Sequence, residues 1–152
     1  MADPISFTST SPRFELPFLF AGQSQKEFYV NQAHALTDAL LHTVVQGVAN
    51  GPPANPAAGE CWIVGDTPTG LWAGRAASIA AFEAGTWLYI SPHDGMQVYD
   101  KAAGQRASFA DGWQHAGSVD LPSGGATVDA QARTAIGQLV TALVSAGILA
   151  DT

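Results

Sequence analysis

The chain has 152 residues, of which 47% are apolar and 12% are charged, and its formal net charge at pH 7 is −7. That length corresponds to a single domain, and the acidic balance argues against a nucleic-acid backbone as a partner, because such binding needs clustered lysine and arginine. A lone cysteine, Cys61, excludes an intrachain disulfide and any metal site built from several cysteines. Since so few residues are charged, we expect neighbouring protein to cover part of the surface, as in the subunit of an assembly.

The first 22 residues predict an extended arm. Pro4, Pro12 and Pro17 prevent a continuous helix, and the apolar patch at residues 16–20 is short and follows no basic segment, so no signal peptide is predicted. Because the arm carries many large apolar side chains, we expect it to lie on its own domain or on a neighbouring subunit. We assign an assembly role to four of its residues, Phe14, Leu16, Phe18 and Phe20.

A long amphipathic helix is predicted after the arm, from Ser24 to about Val48. Ser24 and Glu27 have the spacing of a capping box, in which each side chain bonds the backbone amide of the other residue. Apolar residues then recur at spacings of three and four, namely Tyr29, Ala33, Leu36, Leu40, Val44 and Val48. A segment rich in proline and glycine, residues 51–59, ends the helix and forms a stiff linker.

Between residues 60 and 115 the pattern changes to that of short strands. Aromatic and β-branched residues are frequent in five runs, at 61–64, 78–82, 86–91, 96–100 and 106–109. The segments between the later runs each contain a glycine where a hairpin often needs a positive φ. The sequence therefore predicts a small antiparallel meander or partly open barrel packed on the helix, and an α+β fold.

The last segment predicts a second helix. It begins with Asp129 as the N-cap and has Gly147 as its C-cap. No charged residue stands between Arg133 and Asp151, which leaves too small a polar face for an isolated surface helix. The helix therefore belongs either to the core or, as we favour, to a seam between subunits. The seam residues are Ile136, Leu139, Val140, Leu143 and Val144.

These elements divide the chain into four parts. They are an extended arm at residues 1–22, a helix plus antiparallel β domain at 23–116, a linker at 117–128 and a C-terminal oligomerisation helix at 129–152. The longest apolar stretch is shorter than the roughly 20 residues that a membrane span needs. We therefore expect no insertion into a membrane.

The residues that are candidates for catalysis or metal binding have simpler structural explanations. They are a helical row, His34, Asp38 and His42, a turn pair, His93 and Asp94, and the lone Cys61. The row is typical of a solvated helix face, because one ion could use at most two of its side chains. The pair fits a reverse turn, and a cysteine in a strand packs as a small apolar residue. With no nucleophile-elbow, zinc-protease or phosphate-loop motif present, we predict no catalytic residue, cofactor or metal, and no enzyme.

Two alternative functions depend on side chains of the predicted sheet. Trp87 and Tyr89 share a strand face because strand side chains alternate, and with Tyr99 they form a candidate glycan-stacking platform, as in a carbohydrate-binding module. The competing interpretation is that a small sheet needs these rings for its core. A cell-wall glycosidase is the second alternative, with a carboxylate pair drawn from Glu83, Asp94, Asp100 and Asp111.

A family resemblance begins in the arm and continues into the sheet. The run SPRFELPFLFAGQSQKE at residues 11–27, with NQA at 31–33 and LTDAL at 36–40, resembles the opening of an uncharacterised domain family encoded in tailed phages, prophages and gene transfer agents. The likeness continues through WIVG at 62–65, GTW at 85–87 and PHDG at 92–95. The resemblance implies a virion appendage component, such as a head spike or tail fibre, that is implicated in host-surface attachment, and it transfers no catalytic residue.

Together these observations predict a non-enzymatic structural component of a phage or gene-transfer-agent virion. It is expected to assemble as a homo-oligomer, with a trimer favoured and a pentamer at a fivefold vertex as the alternative. Its other expected partners are neighbouring virion proteins and a host-surface polysaccharide, without nucleic acid. We expect it to be made in the host cytoplasm without a signal peptide, and to lie on either the head or the tail of the virion.

Overall fold

The structure, a computed structural model, describes Leu19, Gly22, Ser24 and residues 26–151. Within these residues the chain has two helices and one sheet of seven strands, an α+β fold. The helices are α1 (Lys26–Leu40) and α2 (Ala130–Ser145). The strands are β1 (Val44–Ala49), β2 (Cys61–Val64), β3 (Ile79–Glu83), β4 (Thr86–Ile90), β5 (Gln97–Asp100), β6 (Gln105–Phe109) and β7 (Trp113–His115). The residues assigned to the assembly arm, Phe14, Leu16, Phe18 and Phe20, lie outside the described residues.

The sheet is mixed rather than antiparallel throughout. Its strand order is β4-β3-β2-β1-β5-β6-β7, and β1 is parallel to both of its neighbours, β2 and β5. The prediction of an antiparallel meander is therefore wrong at the centre of the sheet, although each neighbouring pair of strands on either side of β1 is antiparallel. The reason is the proline-rich segment at residues 50–60, which returns the chain to the end of the sheet where β1 began, as a parallel pair requires.

The first helix ends at Leu40, so the prediction that it extends to Val48 is wrong. His42 adopts a left-handed conformation with a φ of 52°, and the Thr43 hydroxyl donates to the carbonyl oxygen of Ala39 at 3.0 Å. These two features end the helix and satisfy one of its last carbonyl groups. The valine-rich residues that follow form a strand because β-branched side chains favour it and because β1 pairs on both sides, with β2 and β5.

Strand β1 contains a bulge at Gln46 and Gly47. Its pairing with β2 changes register between Val45 and Val48. Gly47 has a φ of 153°, and a Cβ atom on it would lie 3.0 Å from the Cβ of Ala102 in the β5–β6 turn. The bulge therefore requires a glycine at this position.

The main core lies between α1 and one face of the sheet. Its buried members are Leu36, Val45, Cys61, Ile63, Ile79, Ala81, Ile90, Met96, Val98 and Ala107. Trp113 of β7 packs against this core, and its indole Nε1 donates to the carbonyl oxygen of Ala77 at 2.8 Å. The sheet therefore bends until β7 reaches the start of β3. Among the described residues it is not closed into a barrel, since β4 and β7 remain its edges.

A second, smaller cluster covers the opposite face of β2, β3 and β4. Trp72, in a short 3-10 helix at Gly70–Trp72, is completely buried there and packs with Val64 and Ala80. The half-buried residues around it are Ala49, Trp62, Trp87 and Tyr89. This half of the sheet is therefore covered on both faces.

The predicted C-terminal helix is confirmed as α2. Asp129 is its N-cap and accepts a hydrogen bond from the amide of Ala132 at 2.9 Å, while Gly147 follows the C-cap with a φ of 66°. No residue of α2 is buried by the described part of the chain. The amide of Arg106 in β6 donates to the carbonyl oxygen of Gly147 at 2.8 Å, which joins the end of this helix to the sheet. Neither helix within the described ranges has the length and hydropathy needed to cross a membrane.

Candidate functional site

Two of the three predicted glycan-stacking rings pack into the second cluster. Trp87 lies edge-on to Trp72, with ring centroids 5.1 Å apart. The Tyr89 hydroxyl donates to the carbonyl oxygen of Leu71 at 2.6 Å, and the Arg75 guanidinium lies 4.8 Å from the centre of the Tyr89 ring. Burial raises the pKa of the Tyr89 phenol, and the charge of Arg75 opposes that shift. Both rings therefore already have partners inside the domain.

The third ring, Tyr99, lies elsewhere on the sheet. It belongs to β5, four positions from β4 in the strand order, which is about 19 Å along the sheet at a strand spacing of about 4.8 Å. Its side chain is 41% exposed and lies next to Gly147, where an added Cβ would be 3.3 Å from the Tyr99 Cε2. The structure does not bring Trp87, Tyr89 and Tyr99 onto one platform.

A groove of about 580 Å³ lies between α1 and the β3–β4 hairpin. Phe28 and Ala35 line it from the helix, and Leu88 lines it from the edge strand β4. Asp38 of α1 and Glu83 of β3 also face it. Phe28 is 63% exposed, so the groove offers both an uncovered apolar surface and two carboxylates.

The helical row of His34, Asp38 and His42 is divided between two pockets. His34 lines the groove beside α1, and His42, beyond the end of the helix, lines an adjoining pocket of about 190 Å³. Asp38 lines both of them. Within the described ranges, no group of three or more histidine, cysteine, aspartate or glutamate residues could hold a metal ion.

The turn pair, His93 and Asp94, lies in the turn that precedes β5. The amide of Met96 donates to the carbonyl oxygen of His93 at 3.0 Å, and Gly95 has a φ of 83°. This is the geometry of a reverse turn closed by a glycine. The turn accounts for the glycine that follows the pair.

Cys61 is buried in β2 at the edge of the pocket that His42 also lines. Burial raises the pKa of its thiol to about 11, and the carboxylate of Asp38 adds to the shift. The thiol Sγ lies 3.8 Å from the carbonyl oxygen of Gly59. Because the thiolate is the reactive form, a thiol with this pKa packs as a small apolar group at neutral pH.

A hydrogen-bonded pair of side chains, His115 and Asp100, joins β7 to β5. The Nε2 atom of His115 lies 3.0 Å from Oδ2 of Asp100, whose side chain is 3% exposed. The other carboxylate oxygen of Asp100 accepts from the amides of Ala102 and Ala103 at 2.9 and 3.2 Å. Asp100 therefore both holds the β5–β6 turn and orients His115. Local sequence patterns did not predict this pair. Its two residues lie 15 positions apart, on strands β5 and β7, which are separated by β6 in the sheet.

The four carboxylates of the glycosidase alternative have different surroundings. Asp100 is hydrogen-bonded to His115, and Glu83 lines the groove beside α1. Asp94 and Asp111 lie in the turns before β5 and before β7. The structure places these groups in separate roles rather than in one shared cleft.

A polar cleft of about 370 Å³ lies on the face of β5, β6 and β7 that points away from the main core. Gln97, Ser108 and Gln114 stand opposite one another on the three strands. Arg106 lies on the same face of β6, and Ile148, in the segment after α2, lines the cleft beside it. The alternation of polar and apolar residues in these strands was the only sequence signal for this cleft, and it does not show which strands become neighbours.

The predicted seam residues lie on a helix that the sheet does not cover. Ile136 and Leu139 are 42% and 60% exposed. Val140, Leu143 and Val144 are half-buried. The apolar face of α2 is therefore accessible from outside the described chain.

Comparison with known proteins gives one family. Residues 30–114, more than half of the chain, match the family described as "Protein of unknown function (DUF2793)". No curated protein matches the chain. The matched residues extend from α1 into β7 and include all of the sheet except its last residue, His115. The chain therefore belongs to the DUF2793 family.

Proposed function

We propose that this protein is a non-enzymatic structural subunit that assembles as a homo-oligomer through α2. The observation that carries this proposal is the exposed apolar face of that helix. Ile136 and Leu139 are uncovered, and no residue of α2 is buried within the described chain. Apolar surface of this kind gains about 25 cal/mol for each Å² that is removed from water.

A second copy of the same helix is the partner that this face fits best. No charged residue lies between Arg133 and Asp151, so identical faces can meet about a symmetry axis without repulsion between like charges. The hydroxyls of Thr134 and Thr141 donate to the carbonyl oxygens of Ala130 and Gly137, at 2.8 and 2.9 Å. These polar groups are therefore already satisfied and can be buried at low cost. A trimeric bundle is the favoured arrangement, with a pentamer as the alternative.

The N-terminal arm is the second proposed assembly contact. Its apolar residues Phe14, Leu16, Phe18 and Phe20 are too numerous for a segment that stays in water. The arm precedes α1, and the groove of about 580 Å³ beside that helix presents the exposed Phe28. We propose that the arm packs on a neighbouring subunit or on another virion protein.

The virion context is supported by the resemblance of residues 11–115 to a family encoded in tailed phages, prophages and gene transfer agents. We propose that the assembled protein forms part of a head spike or tail fibre and supports attachment to a host-surface polysaccharide. It would be made in the host cytoplasm and incorporated into the particle.

Light scattering on the full chain, and on a chain truncated before Asp129, tests the assembly. We expect the full chain to form a stable oligomer, and the truncated chain, with its sheet intact, to be monomeric. Monomers in both samples would contradict the α2 seam.

Mass spectrometry of particles purified from producing cells tests the virion context, because a virion subunit must co-purify with them in a fixed ratio to the major structural proteins.

A further inference from the structure

The polar cleft on β5, β6 and β7 contains hydrogen-bonding groups that the fold itself leaves unused. Gln97, Ser108 and Gln114 form a row across three neighbouring strands, which is about 10 Å long at the usual strand spacing. In the described part of the chain, the side chains of Gln97 and Ser108 make no hydrogen bond, and Gln114 makes one of 3.4 Å to the carbonyl oxygen of Ala110. Amides and hydroxyls supply both donors and acceptors, as a ligand with many hydroxyl groups requires.

Arg106 gives this cleft a positive charge. Its guanidinium has no ion-pair or hydrogen-bond partner among the described residues, although the whole chain carries a net charge of −7. His115 also lines the cleft, and the carboxylate nearest to this histidine is that of Asp100. That carboxylate is buried and already bonded to His115. An arginine left free in this way favours a carboxylate ligand, which it binds through two parallel hydrogen bonds.

Apolar surface flanks Arg106 on two sides. Tyr99 stands directly opposite it in the β5–β6 register and is 41% exposed, while Ile148 lines the cleft and is 42% exposed. The hydrogen bond from the Arg106 amide to Gly147 holds Ile148 near this edge. Aromatic and aliphatic surfaces of this kind pack against the apolar faces of sugar rings.

We propose that this cleft binds an acidic saccharide, with Arg106 on its carboxylate and the row of Gln97, Ser108 and Gln114 on its hydroxyl groups. The proposal rests on the attachment role proposed above, but not on the α2 seam. The groove beside α1 is unsuited to the same ligand, because Asp38 and Glu83 would repel a carboxylate there.

Calorimetric titration of the full chain tests the proposal, with polygalacturonate as the acidic polysaccharide, dextran as the neutral one and dextran sulfate as a polyanion without carboxylates. We expect saturable binding to polygalacturonate and none to dextran. Arg106→Gln should weaken that binding about tenfold or more, as expected for loss of hydrogen bonds to a charged group. Lys101→Gln removes the same charge outside the cleft, and should change the affinity by less than about twofold.

Three results would overturn the proposal. The first is no binding to polygalacturonate. The second is that Arg106→Gln and Lys101→Gln weaken binding to polygalacturonate equally, and the third is that dextran sulfate binds as tightly as polygalacturonate. Either of the last two would indicate attraction to charge alone. Thermal melting confirms that each variant is folded. Light scattering on the same samples separates the two proposals, because an oligomer that binds no saccharide contradicts only the cleft, and a monomer that binds it contradicts only the seam.

Discussion

The indole Nε1 of Trp113 donates a hydrogen bond of 2.8 Å to the carbonyl oxygen of Ala77. Trp113 lies in the edge strand β7, whereas Ala77 precedes β3 on the other side of the sheet. Phe109 packs against the same indole, with ring centroids 5.4 Å apart. A single side chain thus links the two halves of the sheet, and we expect the bend of the sheet to depend on it.

Trp113→Phe should lower the free energy of unfolding by about 1–3 kcal/mol, because it leaves the Ala77 carbonyl without this donor while keeping an aromatic ring. Urea unfolding at neutral pH measures the change. Trp62→Phe is the matched control, since the Trp62 Nε1 is buried with no hydrogen-bond partner among the described residues. An equal loss in both variants would show that ring volume, rather than the hydrogen bond, accounts for the effect.

Asp100→Ala should destabilise the protein more than His115→Ala does. The aspartate variant loses the contact with His115 and both hydrogen bonds to the β5–β6 turn, a loss of about 2–4 kcal/mol at roughly 1 kcal/mol or more for each bond. The histidine variant keeps the turn and should lose about 1 kcal/mol. Urea unfolding of the two variants tests this order, and the reverse order would show that the turn does not depend on Asp100.

Gly47→Ala should cost about 1–3 kcal/mol, because the bulge in β1 holds this residue at a φ that side chains rarely adopt. The added Cβ would also lie 3.0 Å from Ala102. Gly117→Ala is the control, since a Cβ there meets no atom within 4 Å and its φ is not positive. Thermal or urea unfolding compares the two, and a neutral Gly47→Ala variant would mean that the bulge can relax.

The buried thiol of Cys61 predicts a loss of stability in alkali. Its pKa is raised from the usual value of 9.0 to about 11 by burial. Below pH 9 the thiol is protonated in both folded and unfolded chains, so its contribution is fully present. Between pH 9 and about 11 the unfolded chain releases its proton first, and stability falls as the pH rises.

Urea unfolding at several pH values from 7 to 11 measures this effect, with Cys61→Ala as the reference for the titration of lysine and tyrosine. The wild type should lose more stability than the variant over the upper part of this range. Parallel pH profiles would contradict the assigned role of burial.

Alkylation of the Cys61 thiol by iodoacetamide at pH 8 should also be slower in the folded protein than in the unfolded chain.

Leu139→Glu should dissociate the proposed oligomer. The side chain is 60% exposed in the single chain, so the substitution leaves the fold of the subunit intact but places a charge in the seam. We expect the dissociation constant to rise at least about tenfold, given the 1.5–3 kcal/mol that burial of a leucine contributes. Gln138→Glu adds the same charge at the preceding position, on the polar side of α2. Light scattering should show monomers only for Leu139→Glu.

The strand positions and helix ends could be read from local sequence with good accuracy. The predicted runs at residues 61–64, 78–82, 86–91, 96–100 and 106–109 fall within one residue of β2, β3, β4, β5 and β6. Ala84 and Gly85 form the predicted β3–β4 turn, with φ values of 49° and 77°. Asp129 and Gly147 stand at the two ends of α2 as expected. All of these depend on residues that are close together in the chain.

Residues 44–49 were assigned to the wrong element because their pattern fits two structures. Val44 and Val48 continue the helical spacing of α1, yet β-branched residues favour a strand. Pairing with β2 on one side and β5 on the other decides the outcome, and Val45 becomes completely buried as a result. β7 was missed because its three residues, Trp113–His115, are too few to show a period.

By itself, the sequence determined the α+β composition of this protein, most of its strands and turns, the caps of α2 and the uncharged face of that helix. Only the tertiary structure decided that β1 is a central parallel strand, that Asp100 meets His115, and that Gln97, Ser108 and Gln114 form one row beside Arg106. The physical reason is that propensity, capping and alternation act over a few neighbouring residues. Contacts across the sheet depend on which strands pair, and that choice is made by the packing of the whole core.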